Sequence, residues 1–225
     1  MIITIDGPTA SGKSTTARAL ADKIGIYYLN SGKLYRAFAY LLMEHAGYTE
    51  QQLAQPKEED IFGYLSPNRL VYTYTPEESE RIFFDDEDIT PYLHGNATID
   101  QAASIVSQNN QVREKITDLC REIGNKFSLV ADGRDTGSVV FPHATVKFYL
   151  TASLPVRAQR WQEFISQRGT EISLQEAEEQ LVIRDKRDMD RAVAPLVAPE
   201  GAIFIDNSEL PLTEVIGKML EHITW

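Results

Sequence analysis

This chain of 225 residues has a single cysteine, Cys120, which excludes an intrachain disulfide and a zinc cluster held by cysteines. It lacks a basic leader, since the acidic Asp6 arrives almost at once, so no signal peptide is expected. No apolar run approaches the roughly 20 residues that a membrane-spanning helix needs. These absences point to a cytoplasmic protein with no membrane partner. Positive charge is also scarce: 22 Lys and Arg stand against 33 Asp and Glu, a formal net charge of -11. Binders of nucleic acid polymers concentrate basic residues over a broad face, so such a partner is not expected. What remains open is a small anion met by locally grouped arginines. There is no internal repeat and no low-complexity tract.

What is present begins at the amino terminus. Ile2-Ile3-Thr4-Ile5-Asp6 reads as a short buried strand, and Gly7-Pro8-Thr9-Ala10-Ser11-Gly12-Lys13-Ser14-Thr15 follows it directly. Glycines at the two ends of this spacing let the backbone curl until several N–H groups point at one anion. Lys13 adds a mobile positive charge, and Ser14 offers a hydroxyl to Mg²⁺. A helix starting at residue 12 or 13 would aim its positive dipole end at the same place. The segment is therefore expected to bind the phosphate groups of a ligand.

Apolar spacing predicts a helix over 13–24 stopped by Gly25, a strand over 27–29, and a helix over 32–45. This alternation implies an α/β fold with a doubly wound parallel sheet of the phosphate-loop type, whose ligands gather at the carboxyl ends of the strands. Residues 49–96 break the rhythm, with strands over 68–75 and 81–84 suggesting a small antiparallel unit. Its acidic run at 85–88 reads as a solvated hairpin edge. Helices near 99–106 and 112–123 follow, then strands at 127–131 and 146–150. A helix near 155–167, a charged helical stretch to 191, a strand at 202–205 and a helix at 212–223 close the chain.

Three further groups lie just after strands. Asn30-Ser31-Gly32-Lys33-Leu34-Tyr35-Arg36 offers a helix start with an arginine one turn on. Asp132-Gly133-Arg134-Asp135-Thr136-Gly137 places a carboxylate beside the phosphate loop, where Asp132 could hold Mg²⁺ through water. In the run from Arg184 to Arg191, Arg184, Arg187, Asp188 and Arg191 recur at three- and four-residue spacing on one side of a helix. Guanidiniums grouped in this way suit a triphosphate.

In this order, Thr4-Ile5-Asp6-Gly7-Pro8, Ser31-Gly32 with Tyr35-Arg36, Asp132-Gly133-Arg134-Asp135 with Gly137, Val139-Val140-Phe141-Pro142 and Arg191-Ala192-Val193-Ala194-Pro195-Leu196 resemble the bacterial cytidylate kinases over nearly the whole chain. The resemblance implies transfer of the γ-phosphoryl group of ATP to CMP or dCMP, with Mg²⁺ accompanying the ATP, by a monomer. It implies a core domain (1–48, 97–153 and 192–225), an inserted monophosphate-binding domain (49–96) and a helical lid (154–191). Carried over by position, Ser31, Arg113 and Asp135 would contact the cytosine, and Arg36, Arg134 and Arg191 the acceptor phosphate. Arg184, Asp188 and Ser104 would serve the ribose and lid side. Lys13, Arg134, Arg184 and Arg191 are then the catalytic set. The chain departs from the family pattern at Ser14, Asn30, Met189-Asp190 and Pro91-Tyr92-Leu93.

Two alternatives stay open on the residues alone. One is a kinase of the same core acting on UMP, AMP, shikimate or dephospho-coenzyme A. The other is a nucleotide-binding regulatory module, which would need a guanine-reading Asn-Lys-x-Asp string, and the chain contains none.

Overall fold

Short apolar runs followed by glycine-rich breaks produce the first βαβ turn of the chain, and the computed structural model describes residues 1–93 and 96–224. His94, Gly95 and Trp225, which fall in the sequence-drawn bounds 49–96 and 192–225, lie outside the described residues. The elements in chain order are β1 (Ile2–Asp6), α1 (Lys13–Ile24), β2 (Tyr27–Asn30), α2 (Ser31–Glu44), α3 (Glu58–Tyr64), β3 (Leu70–Thr75), β4 (Ser79–Phe84) and β5 (Glu87–Asp88). Then come α4 (Thr90–Leu93), α5 (Ala97–Val106), α6 (Asn110–Lys126), β6 (Leu129–Gly133), β7 (Val146–Thr151), α7 (Leu154–Ser166), α8 (Leu174–Asp190), β8 (Ile203–Asp206) and α9 (Leu212–Leu220). By packing, the chain divides into Met1–Tyr28 with Ser128–Trp225, and Leu29–Phe127.

The first unit is built on a sheet of order β2-β6-β1-β7-β8. β1 runs parallel to both β6 and β7, and β7 parallel to β8. β6 is buried along its whole length and β1 at four of its five residues, as central strands covered on both faces must be. Ala17, Leu20 and Ala21 give α1 its buried face. Gly25, at φ 69°, closes that helix by sending its N–H back to the carbonyls of Ala21 and Asp22, the left-handed cap that glycine adopts without steric cost. Parallel strands place Asp6, Gly133 and Thr151 at the same edge of the sheet, and the site is built there.

The second unit holds the antiparallel sheet β3-β4-β5, with Leu70 opposite Phe84 and Thr75 opposite Ser79. The acidic hairpin edge carries ion pairs: Asp85 meets Arg69 at 2.5 Å and Asp88 meets Arg81 at 2.7 Å. Among the described residues no group of three or more His, Cys, Asp or Glu is arranged to hold a metal. The packing unit is larger than the segment 49–96. α2 buries Leu34, Phe38, Leu41 and Leu42 and packs on α5, α4 and α6, so these helices group with the small sheet. No described helix is long and apolar enough to cross a membrane.

Candidate active site

The phosphate loop leaves β1 through Gly7, where a side chain could not fit: a Cβ there would lie 2.0 Å from the Leu150 carbonyl oxygen. Ala10 and Gly12 both take left-handed conformations, at φ 59° and 87°, and α1 starts at Lys13 without a side-chain cap or an acidic residue in its first turn. The first N–H groups of a helix have no partner within the helix. Here they open onto a loop lined by backbone and a lysine, the arrangement that receives a phosphate. Ser11 and Lys13 are buried, as is Thr9.

The Lys13 ammonium donates to the Pro8 carbonyl at 2.5 Å and to Ser11 Oγ at 3.3 Å. Burial first, and then the charge of Arg134, push its pKa well below the ordinary lysine value. An anion in the loop relieves both effects. Ser14 Oγ donates to Asp132 Oδ2 at 2.8 Å, and the Tyr28 hydroxyl donates to the other oxygen, Oδ1, at 2.8 Å. Burial pushes the Asp132 carboxyl up, against the pull of Tyr28, Lys13 and Ser14. Asp132 is the penultimate residue of β6, inside the strand rather than beyond it.

Arg134 joins three parts of this unit. Its Nε donates to Asp188 Oδ2 at 2.8 Å, its Nη2 to Thr9 Oγ1 of the loop at 3.1 Å, and its Nη1 to the Gly133 carbonyl at 3.3 Å. Arg191 caps α8. Its Nη2 lies 3.5 Å from Asp135 Oδ1, and its Nη1 3.7 Å from Asp188 Oδ1. Burial would raise the Asp188 carboxyl, but Arg134 and Arg191 together hold it below the ordinary value. Arg184, one helical turn before Asp188, sits 5.9 Å from the centre of the Trp161 ring. The structure thus gathers residues 7–15, Asp132, Arg134, Asp135, Arg184, Asp188 and Arg191 in the first unit.

Four residues that sequence reasoning left unassigned also hold the loop. The Thr9 N–H donates to Asp185 Oδ1 at 2.9 Å, while Arg157 Nη1 donates to the Thr9 carbonyl at 3.0 Å and to Asp185 Oδ2 at 2.5 Å. The backbone of Thr9 is thereby tied to both α7 and α8. On the other side of the loop, Asn207 Nδ2 donates to the Ser11 carbonyl at 2.8 Å, and Arg160 Nη1 donates to Asn207 Oδ1 at 3.0 Å. A Cβ on Gly12 would approach Asn207 Nδ2 to 3.3 Å. The available signal was the Arg157/Arg160 pair, one turn apart on the helix that follows β7.

In the second unit, Ser31 begins α2 behind Asn30, whose side chain accepts from the Lys33 N–H at 3.1 Å. Arg36 Nε donates to Asp100 Oδ1 at 2.5 Å. Arg113 is buried, with its guanidinium 5.5 Å from the centre of the Tyr35 ring and its Nη1 donating to the Ser107 carbonyl at 3.0 Å. Ser104, also buried, accepts from Ser107 Oγ through its carbonyl at 3.0 Å. Ser31 and Arg36 share α2, whereas Arg113 and Ser104 come from α6 and α5.

A family model for cytidylate kinase matches residues 3–225. The cytidylate kinase of Caldanaerobacter subterraneus subsp. tengcongensis is 37% identical over 221 residues, covering 98% of this chain and 93% of that protein. That of Thermodesulfovibrio yellowstonii is 37% identical over 222 residues, covering 99% and 97%. In fold alone, the chain resembles a solved uncharacterized protein from Eubacterium ventriosum, with a TM-score of 0.52 at 12% identity over 99% of this chain and 98% of that one. A match running unbroken from β1 through the phosphate loop, the turn after β6 and the arginines of α8 leaves one conclusion: the chain belongs to the cytidylate kinase family.

Proposed function

We propose that this chain transfers the γ-phosphoryl group of ATP to CMP or dCMP, giving ADP and CDP or dCDP. The observation that carries the reading is Arg134, whose guanidinium bonds to Thr9 of the phosphate loop while anchored on Asp188. A phosphate loop alone serves switches, motors and kinases. A partly buried arginine at its rim, backed by Arg191, supplies charge for a second phosphate facing the first.

Phosphoryl transfer asks little covalent chemistry of a protein; it needs in-line placement and neutralisation of the charge on the moving group. Residues 7–15 receive the donor phosphates on backbone N–H groups, and the Lys13 ammonium follows them. Arg36, Arg134 and Arg191 hold the acceptor phosphate, whose ionised oxygens attack without a general base. Arg184, with Arg187 and Arg191, covers the triphosphate and excludes the water that would otherwise take the γ-phosphoryl group.

The donor set at Ser14 and Asp132 suits Mg²⁺. A hydroxyl and a carboxylate 2.8 Å apart are hard oxygen ligands, and this ion keeps several waters and relies on substrate phosphates for the rest. Bound there with ATP, Mg²⁺ would neutralise triphosphate charge, with Ser14 holding it directly and Asp132 through water.

Asp135 accepts from the N4–H group of cytosine, where uracil would present an O4 acceptor, and Arg113 donates to N3 or O2 with Ser31 beside the base. Ser104 and Asp188 serve the ribose. A panel of CMP, dCMP, UMP, AMP, shikimate and dephospho-coenzyme A, read by coupled ADP detection, tests the whole reading. ADP release dependent on CMP supports it; release with another acceptor alone, or none, overturns it.

A further inference from the structure

The turn after β6 carries Arg134 and Asp135, yet neither residue explains what holds that turn in place. Its shape is unusual: one turn of π-type helix runs from Thr136 to Val140. The support comes from β1. Asp6, the last residue of that strand, is wholly buried. Its Oδ1 accepts the Thr136 N–H at 2.8 Å and the Thr136 hydroxyl at 2.7 Å, and its Oδ2 accepts the Gly137 N–H at 2.7 Å. Gly137 presses against the same strand. A Cβ there would lie 2.6 Å from Thr4 Oγ1, 2.9 Å from Pro199 Cγ and 3.2 Å from Asp6 Oδ2. The chain after Asp135 is thus pinned to β1 by contact and by three hydrogen bonds.

We propose that Asp6 is a positioning residue for phosphoryl transfer, its carboxylate holding Thr136 and Gly137 so that Arg134 and Asp135 stand ready for the acceptor nucleotide. The inference rests on the kinase reading and on the assignment of those two residues to CMP. Asp6 touches no substrate itself; it acts through the turn.

Only a carboxylate fits the role. All three groups facing Asp6 are donors, and an ionised carboxylate is the side chain of this size that offers acceptors alone. Asparagine has the same shape but would set its NH₂ against either Gly137 or Thr136, whichever way the amide is turned. One buried donor would then face another donor, a loss that falls on the turn rather than on the fold as a whole. Glutamate adds a methylene to a site with no free surface. A residue that merely filled space would not need this charge. β1 brings Asp6 beside Gly133 and Tyr149 in register, and Asp135 is the neighbouring charge that disfavours its ionisation. The carboxylate is therefore kept against both burial and a like charge.

The test compares wild type with Asp6→Asn, Thr136→Val and Thr136→Ser, measuring kcat and the KM for each substrate beside thermal melting. Asp6→Asn is expected to lower kcat by about tenfold or more and to raise KM for CMP, with KM for ATP within about twofold, because the turn carries the acceptor side. Thr136→Val removes one of the three donors and is expected to show a smaller loss of the same pattern. Thr136→Ser keeps that donor and restores wild-type kinetics. If Asp6→Asn fails to fold, the Val and Ser variants decide alone. CMP kinetics within about twofold of wild type in a folded Asp6→Asn, or in Thr136→Val, overturn the proposal, as does a loss shared equally by both substrates. Absence of CMP-dependent ADP release in the wild type overturns the kinase reading instead.

Discussion

Arg134 Nε lies 2.8 Å from Asp188 Oδ2, and both side chains are largely buried. The carboxylate fixes the direction of the guanidinium, and the two remaining nitrogens reach Thr9 and the Gly133 carbonyl. Charge-assisted bonds of this kind are directional as well as strong. With Arg134 assigned, as proposed, to the acceptor phosphate, replacing it with alanine removes that charge, so kcat is expected to fall by roughly 10²- to 10³-fold. The donor phosphates keep residues 7–15 and Lys13, so ATP affinity should change far less. Steady-state kinetics beside ATP titration check this; full CMP kinase turnover in Arg134→Ala would sink the assignment.

Base choice gives a second expectation. A carboxylate at Asp135 favours the cytosine amino group over the uracil carbonyl by about 1–3 kcal/mol for one well-placed contact. CMP should therefore outcompete UMP by roughly 5- to 150-fold in kcat/KM. Asp135→Asn, which can turn its amide to suit either base, should narrow that ratio. Equal rates on both pyrimidines in the wild type would remove Asp135 from the base site.

Most of the first unit was legible because its signals are local. Ile2–Asp6 is a mostly apolar run followed by Gly7, and α1 shows helical spacing with a clear stop at Gly25. The loop, Arg134 and Asp188 could be named for the same reason. The supports could not. Asp185 bonds to Thr9 across 176 positions of sequence and Asp6 to Thr136 across 130, separations at which spacing carries no information. Short elements such as α3, α4 and β5 also escaped. α4 has four residues and β5 two, too few for a period to show. The packing unit Leu29–Phe127 could not be drawn from the sequence, because an apolar helix face does not say which neighbour it meets.

The Ser14–Asp132 pair predicts a dependence on divalent cation. Chelation should abolish ADP release, and added Mg²⁺ should restore it. Ser14→Ala loses one oxygen ligand and should require about tenfold more Mg²⁺ for half-maximal rate, the lower end of the range for altered metal surroundings. An unchanged Mg²⁺ requirement in that variant would exclude Ser14 as a ligand.

In the second unit, Lys33 Nζ lies 2.9 Å from Glu80 Oε1, with both side chains almost fully buried. Removing one partner of a buried pair is costly, so Lys33→Met should lose about 3–5 kcal/mol of stability. The double change Lys33→Met with Glu80→Leu removes both charges and should recover much of that loss. Urea unfolding of the two variants tests the difference. A double variant no more stable than the single would show that the pair is not coupled.

Asp6 links stability and activity through pH, in opposite senses. Burial, the largest effect, raises its pKa from 3.8 to about 6, against the hydrogen bonds from Gly137 and Thr136, and the charge of Asp135 adds to the rise. A carboxyl whose pKa is higher folded than unfolded binds its proton more tightly in the fold. Its contribution to stability is therefore full below about pH 4 and is lost as the pH rises through about 6. A rise of that size corresponds to about 3 kcal/mol. Asp6→Asn does not titrate, so the stability of wild type minus that of the variant should fall by about this amount between about pH 4 and pH 7. Taking the difference cancels carboxyls such as Asp85, Asp88 and Asp188, whose lowered pKa values act in the other direction. Over the same window the ionised form, which alone accepts all three hydrogen bonds, becomes dominant, and the kcat of wild type should rise. A stability difference independent of pH would show that Asp6 is not titrating in the fold. If it does titrate as expected, the chain keeps at neutral pH a charge that weakens its fold, because the turn bearing Arg134 and Asp135 depends on it.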